Sequence, residues 1–583
     1  MKLFVTLLIF TMFLRAADPL PQRREQLKTL LAQEWERDLA RHPEMATHTG
    51  DYRFNDKLSD YSAASALAEI DHAKSILTSF EAIDTAGFPP QEVLNKLLKV
   101  RALQHTIEAA KFRDWEMPVT QFNGIHLNFA SLPSGVPFRN RKDFADYLAR
   151  LRETPRVFDQ VTANMRQGMK DGLMPPRYLL EKVAVQAADI AANSPEKSPF
   201  AKPLQHLPAS FSPEDQATVK EQIYAAIREQ VTPAYKKFAD FVRTEYAPKG
   251  QPALGAWALP DGAARYAFAI RTMTTTDLTA DQIHQAGLKQ VAEIERDMLK
   301  VAQHEGFKDL KTFNEHIRAD RHLYATSGQQ LLDLYQHYTD LSAAQLPKLF
   351  GTLPKNKLVV VPMETYRQAD GVPADYSIGA GDNSLPGRIN VNEYKPEERL
   401  LLNVEAIAYH EGLPGHHLQF SIAQQLTDLP PFRKFGLRYN VYTEGWGLYS
   451  EQLGKEVGLY TDIYSEYGRL QNEMWRAVRL VVDTGVHSKR WTRDQMIAYF
   501  HDHTAMDEQN IQTEVDRYIS WPAQALSYKL GQMKIVELRE RAQRQLGSKF
   551  DIRAFHDAIL DSGPLPLDIL DQKITTWLSV QPH

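Results

Sequence analysis

The stretch "YHEGLPGHHLQ", Tyr409 to Gln419, gathers three of the chain's 19 histidines, with a glutamate beside the first and a Pro-Gly step between. Imidazole and carboxylate are the ligands that catalytic zinc takes, three from the protein with one position left for water. In the spacing H-E-x-x-H the two histidines share a helical face, because positions i and i+4 lie about 40° apart in rotation and about 6 Å apart along the axis. Here the second histidine comes late. His416 is six positions after His410 and on a regular helix faces about 120° away; His417 is seven after it, on the same face but about 10 Å further along. Neither meets His410 on one ion unless the helix breaks. Pro414 lacks an amide donor and Gly412 and Gly415 permit unusual dihedrals, so the segment predicts a distorted helix. We read it as a stretched H-E-x-x-H in which His416 swings back toward His410, with His417 as the competing ligand and Glu411 facing the bound water.

A third ligand is expected downstream. "YTEGWGLYSEQLG" sets Glu444 and Glu451 on an apparent helix. Glu444 comes 28 residues after His416 among apolar neighbours, where a carboxylate is costly to bury without a cation. Glu451 precedes a more polar run and reads as solvent-facing. Two other histidine groups read as structural: His487 in "DTGVHSKRW" as the cap of a helix ending near Gly485, and His501 with His503 in "FHDHTAMDEQN" as a polar helix end rather than a second metal cluster.

The elements that must hold these residues are mostly helices. From about residue 20 to 345 apolar residues recur at three- and four-residue steps. Ser212 with Pro213 marks one helix start, and Thr279 with Gln282 forms a capping box at another. The proline- and serine-rich stretch from 190 to 212 reads as a long surface loop. Strand signals are confined to "KLVVVPME" (357–364) and "GRINVNEY" (387–394), joined by a glycine-rich connection. Pro362 restricts the first to an edge or an end. Such a small sheet is either a short hairpin or a free edge offered to an extended peptide. Pro396 is expected to open a helix running through "EERLLLNVEAIAYHEG" to His410. The fold class is therefore mostly α, with an N-terminal helical half over 18–345 and a half carrying the metal site over 346–583.

Composition bounds the rest. The 583 residues are 43% hydrophobic and 24% charged, as in an ordinary globular protein. The absence of cysteine removes disulfides, thiolate ligands, a cysteine nucleophile and a thiol to acylate. "MKLFVTLLIFTMFLRAADP" reads as a secretory leader over residues 1–17, which points to a bacterial periplasm or the cell exterior. No later segment is apolar enough to span a bilayer. Residues 1–17 hold Lys2 and Arg15 and no acid, so the formal charge of −5 becomes −7 without them, which gives no support to a nucleic-acid partner.

"HEGLPGHHLQ", "YTEGWGLYSE" and "WRAVRLVVDTGVHSKRWTRDQ", together with "TTTDLTADQIHQAGLKQV" (274–291) and "WPAQALSYKLGQMKI" (521–535), resemble the bacterial family catalogued as domain of unknown function 885. That family is similar, more distantly, to helical zinc peptidases such as carboxypeptidase Taq, oligopeptidases and angiotensin-converting enzyme. The resemblance implies a large helical fold with a deep cleft and the small sheet beside it. It implies zinc held by His410, His416 and Glu444, with Glu411 as general base and Tyr528 in "LSYKLG" as donor to the oxyanion. An assisting group is left open among His487, Arg517 and Tyr518. Arg517 or Lys529 is a candidate to hold a substrate carboxylate, which makes a carboxypeptidase one expectation. The expected function is an exported zinc-dependent metallopeptidase acting on small peptides. The alternatives are a zinc hydrolase of a non-peptide amide or ester, and a non-catalytic envelope binding protein with a degenerate site.

Overall fold

The computed structural model describes residues 18–369, 371–380 and 383–581, and the leader read in residues 1–17 lies outside them. The architecture is mostly α, with one three-stranded sheet. Both predicted helix starts form as reciprocal caps. The Ser212 hydroxyl accepts from the Asp215 amide while the Asp215 carboxylate accepts from the Ser212 amide, and Thr279 and Gln282 do the same. Each pair satisfies two amides that the first turn leaves without partners. The 190–212 stretch is less of a surface loop than its prolines predict. Pro199–Gln205 winds into 3-10 turns, because Phe200, Ala201 and Leu204 are drawn into the core that includes Phe129 and Tyr235.

The sheet consists of β1 (Leu358–Pro362), β2 (Ala374–Ser377) and β3 (Gly387–Val391), in the order β1-β3-β2. The two expected strands are β1 and β3, but they pair in parallel, Leu358 opposite Gly387, so they form no hairpin. The chain between them returns as β2, antiparallel to β3 with Ala374 opposite Val391. "ADYS" is too short and polar to announce itself as a strand. Pro362 ends β1 at a sheet edge, where its missing amide costs no ladder bond.

Seven helices frame the site: α1 (Ala280–His304), α2 (Val404–Glu411), α3 (His416–Gln425), α4 (Asn440–Glu456), α5 (Ile463–Ser488), α6 (Glu508–Ser520) and α7 (Ser527–Leu546). The expected helix from Pro396 is a single 3-10 turn, Pro396–Glu398, and α2 begins only at Val404. Between them the backbone is engaged elsewhere: Arg399 O accepts from Ala325 N, and Leu401 N donates to Leu323 O. Helices α4 and α7 meet backbone to backbone. A Cβ on Gly445 would lie 2.5 Å from Gly531 Cα, and one on Gly531 would overlap the Val441 carbonyl oxygen. Around this contact one apolar core joins Leu98 and Ile283 to Tyr442, Trp446, Leu530 and Leu570, so it runs across residue 345. Among the described residues no helix is long and apolar enough to cross a membrane.

Candidate metal centre

The break predicted after His410 is present. Helix α2 ends at Glu411; Gly412 (φ −98°, ψ −111°) and Gly415 (φ −81°, ψ −125°) leave helical dihedrals, and α3 starts at His416. Neighbouring elements hold the turn between them. Trp446 Nε1 donates to Pro414 O at 3.0 Å, Ser342 Oγ to Leu413 O at 2.7 Å, and His417 N to Gly412 O at 3.1 Å. The reversal brings the His410 and His416 rings to 4.8 Å between centroids, nearly perpendicular at 84°. Glu444 Oε2 on α4 lies 3.5 Å from His410 Nε2 and 3.3 Å from His416 Nε2. Gly447, three residues further along α4, leaves room for the imidazole, since a Cβ there would sit 2.7 Å from His410 Nε2.

These groups fit a metal ion. Ligand atoms of all three residues lie within 4.8 Å of one another, and among the described residues no other histidine–carboxylate trio converges in this way. Zinc with bonds of about 2.1 Å in tetrahedral geometry holds its ligand atoms about 3.4 Å apart, which matches both histidine–glutamate separations. The second ring nitrogen of His410, Nδ1, lies 2.8 Å from Glu451 Oε1. A carboxylate there accepts a hydrogen bond from Nδ1–H, which fixes the proton on Nδ1 and leaves the Nε2 lone pair facing the trio.

Glu451 is therefore not the solvent-facing residue its polar neighbours imply. It is 2% exposed, because α4 is buried along almost its whole length, and it lies seven positions after Glu444 on nearly the same helical face. His417 is excluded from the trio by its own partners. Its Nε2 donates to Asn356 O at 3.0 Å and its Nδ1 accepts from the Tyr376 hydroxyl at 3.0 Å, which ties α3 to the sheet.

The charges around the trio differ sharply. Burial pushes the Glu444 carboxyl up, but His416 and His410 outweigh it and hold the group well below the usual carboxylate range. Glu411 goes the other way. Burial, with Glu444 adding and His416 opposing, pushes its carboxyl up to about 8, and it accepts no hydrogen bond among the described residues. Both glutamates line a cavity of about 310 Å³ together with His410, His416 and Tyr528. The Tyr528 ring stacks on His410 at 6.0 Å, and its oxygen accepts from Arg517 Nη2 at 2.9 Å.

Of the two residues expected to bind a substrate carboxylate, Arg517 lines the cavity and Lys529 does not. Lys529 follows Tyr528 by one residue, a turn of about 100° on α7, and so points to α5, where its Nζ pairs with Glu473 at 2.7 Å. His487 is also remote: it accepts from Ala256 N and donates to Tyr518 O, which links three elements of the core. Tyr518 accepts from Arg479 Nε at 2.8 Å and belongs to an internal charge network. His501 and His503 face different acids, Glu508 and Glu295, and form no cluster. Among the cavity residues that escaped the sequence reading are Arg476 and Arg479 of α5. Their signal is the arginine pair at i and i+3 in "WRAVRLVV", two charges in an otherwise apolar run.

The family model described as bacterial protein of unknown function, DUF885, matches residues 43–574, so the chain belongs to that family. No curated protein matches it. Among solved structures, a putative lipoprotein from Colwellia psychrerythraea is 28% identical, with a TM-score of 0.89 over 96% of this chain and 100% of the other. A putative lipoprotein of unknown function from Shewanella oneidensis, 17% identical, shares the fold with a TM-score of 0.68, again over 96% of this chain and all of the other.

Proposed function

We propose that this member of DUF885 is an exported metallopeptidase that holds zinc on His410, His416 and Glu444 and hydrolyses peptide bonds. One observation carries the reading: two imidazoles and a carboxylate converge at ligand spacing, with Glu451 behind His410. Bound zinc supplies Lewis acidity toward a water and a substrate carbonyl. Glu411 follows the ligand His410 directly and lines the same cavity, which places it to take a proton from the attacking water and pass it to the leaving amine. The hydrolysis balances as one water consumed, a new carboxyl oxygen formed and the C–N bond broken. Tyr528 accepts at its oxygen from Arg517, so its own hydrogen remains available for a carbonyl oxygen that gains charge. Strand β2 supports a peptide substrate, since it is an edge of the sheet and contributes Ala374, Asp375 and Tyr376 to the cavity wall, where an extended chain can add as a further strand. Export rests on the leader sequence and on the description of the Colwellia relative as a putative lipoprotein.

The test joins metal content to turnover. The purified protein should hold one zinc per chain and cleave members of a peptide library, and Glu411→Gln should keep the zinc and lose cleavage. Bound zinc with cleavage of a non-peptide ester or amide alone would move the reading to another hydrolase. A chain that binds no divalent metal would end it.

A further inference from the structure

The cavity has a second chemical face. Arg476 and Arg479 stand one turn apart on α5, and Arg517 on α6 joins them in lining the space that holds the metal-ligating trio. All three are buried, at 3%, 1% and 7% exposure. Two of them are well tied down. Arg479 donates to Tyr518 Oη and, at 2.7 Å, to Glu514 Oε2, and Arg517 donates to Gln524 and Tyr528. Arg476 is not. Among the described residues its only hydrogen bond is a long one, 3.3 Å, to the carbonyl of Asn472 on its own helix, and its nearest acid, Glu451, is 3.6 Å away and already engaged by His410.

Among the described residues each of the three guanidinium groups keeps one buried nitrogen without a partner: Nε of Arg476, Nη1 of Arg479 and Nε of Arg517. The acids among them within ion-pair reach of the three arginines are two, Glu451 and Glu514. A buried cation normally has a matching anion, because an unpaired charge away from water is expensive. Here three guanidiniums share two acids at ion-pair distance, and Glu411 on the same wall acts on Arg476 only from beyond that reach. The wall is also rigid, since the Arg476 and Arg479 guanidiniums lie 4.1 and 4.5 Å from the Trp475 ring centroid, and Arg479 lies 4.1 Å from that of Tyr528. The other cavity acid near the sheet, Asp375, is paired with Arg367 at 3.0 Å and does not supply the missing charge.

We infer that this wall recognises a carboxylate on the substrate, with Arg476 as its principal contact. The inference rests on the peptidase reading and names its substrate class: peptides bearing a negative charge close to the scissile bond. Closeness follows from two short contacts in series, Arg476 to Glu451 and Glu451 to His410. They put the guanidinium within about two residues' length of extended chain, ~7 Å, of the His410 ring. The charge is either the α-carboxylate of a short peptide or an acidic side chain beside the cleaved bond.

Binding separates this inference from the activity that precedes it. The probes are N-acetylated dipeptides with a free C-terminal carboxylate, the same peptides as carboxamides, and carboxamides carrying Asp or Asn at the last position. Each is titrated calorimetrically into zinc-loaded Glu411→Gln protein, which need not turn over. The free acid should bind roughly tenfold to a hundredfold tighter than its amide, as a charge-assisted arginine–carboxylate contact implies. Arg476→Gln should remove that difference, leave the affinity for the amide unchanged and retain one zinc per chain. Arg476→Lys should keep part of the preference, having the charge without the planar fork. A peptide amide ending in Asp that binds like the free acid assigns the charge to a side chain, and one that binds like Asn assigns it to the terminus. Equal binding of acid and amide, or a preference that survives in Arg476→Gln, overturns the inference. Acid-selective binding in a protein that cleaves no peptide would sink the proposed activity and leave this subsite standing.

Discussion

Two buried polar clusters lie against the same cavity, and they are built on opposite principles. In the first, Glu444 Oε2 lies 3.3–3.5 Å from the Nε2 atoms of His416 and His410. In the second, Glu514 Oε2 meets Arg479 Nη2 at 2.7 Å, Glu514 Oε1 faces Arg517, and the Tyr518 hydroxyl closes the group. In the second cluster both carboxylate oxygens of the one acid have a guanidinium or hydroxyl donor, so the acid is satisfied as it stands. The first is costly without a cation between its members. Burial by itself thus does not mark a functional site; a mismatch between donors and acceptors does. The comparison can be broken from either side. Removing a member of the complete cluster should cost fold stability whatever the solution contains, and removing a member of the incomplete one should cost metal.

The largest effect is expected at Glu514. Glu514→Ala strands Arg479 in the core, and leaving one partner of a buried pair costs about 3–5 kcal/mol. Urea unfolding of the zinc-free chain should record that loss, and a loss below about 1 kcal/mol would mean that the network is not a unit. Glu444→Ala should act on metal instead. If the 10–16 kcal/mol of a four-ligand zinc site is shared among its ligands, one ligand is worth roughly 3 kcal/mol, a hundredfold or more in affinity. Competition with a chelator should show it, while His417→Ala, whose ring is occupied by Asn356 and Tyr376, keeps the metal. Equal metal loss in both variants would reject the ligand assignment.

Glu451→Gln is a finer cut through the same comparison, because it touches the incomplete cluster only through His410. The amide can still accept from Nδ1 but no longer carries charge, so zinc affinity should drop about 10- to 100-fold with the ligands intact. An unchanged zinc affinity would reduce Glu451 to a packing role.

How much of this was legible in the sequence follows the range of each signal. The caps at Ser212 and Thr279, the break at Gly412 to Gly415 and the approach of Glu444 to His410 and His416 were readable, because each depends on a few adjacent residues or on the cost of burying charge. The pairing of β1 with β3 was not, since β2 carries almost no apolar residues and register depends on partners far along the chain. Glu451 was misread because a charged side chain next to a polar run looks exposed, and only the packing of α4 against α7 around Gly445 and Gly531 reveals that it is inside. Lys529 was expected to hold a substrate carboxylate, but one residue's turn on α7 takes it past the cavity to Glu473. Arg476 and Arg479 were missed because the run around them, "WRAVRLVV", is apolar enough to read as core.

The smallest expected effect, and the one that tests the difference between the clusters without disturbing metal, is in acid. Burial pushes the Glu514 carboxyl up, but Arg479 and Arg517 outweigh it and draw it down to about 2, against an ordinary value near 4.5. The folded state therefore holds this proton less tightly than the unfolded chain does. Its contribution to stability is whole above about pH 4.5 and is lost as pH falls toward 2, with a slope of at most about 1.4 kcal/mol per pH unit. In zinc-free protein the stability gap between wild type and Glu514→Gln should narrow by about 0.7 kcal/mol between pH 5 and pH 4, because only the wild type carries this carboxylate. A gap that stays constant would show that Glu514 titrates alike in the folded and unfolded chains, and the picture of an acid satisfied by its arginines beside an incomplete cluster would lose its first half.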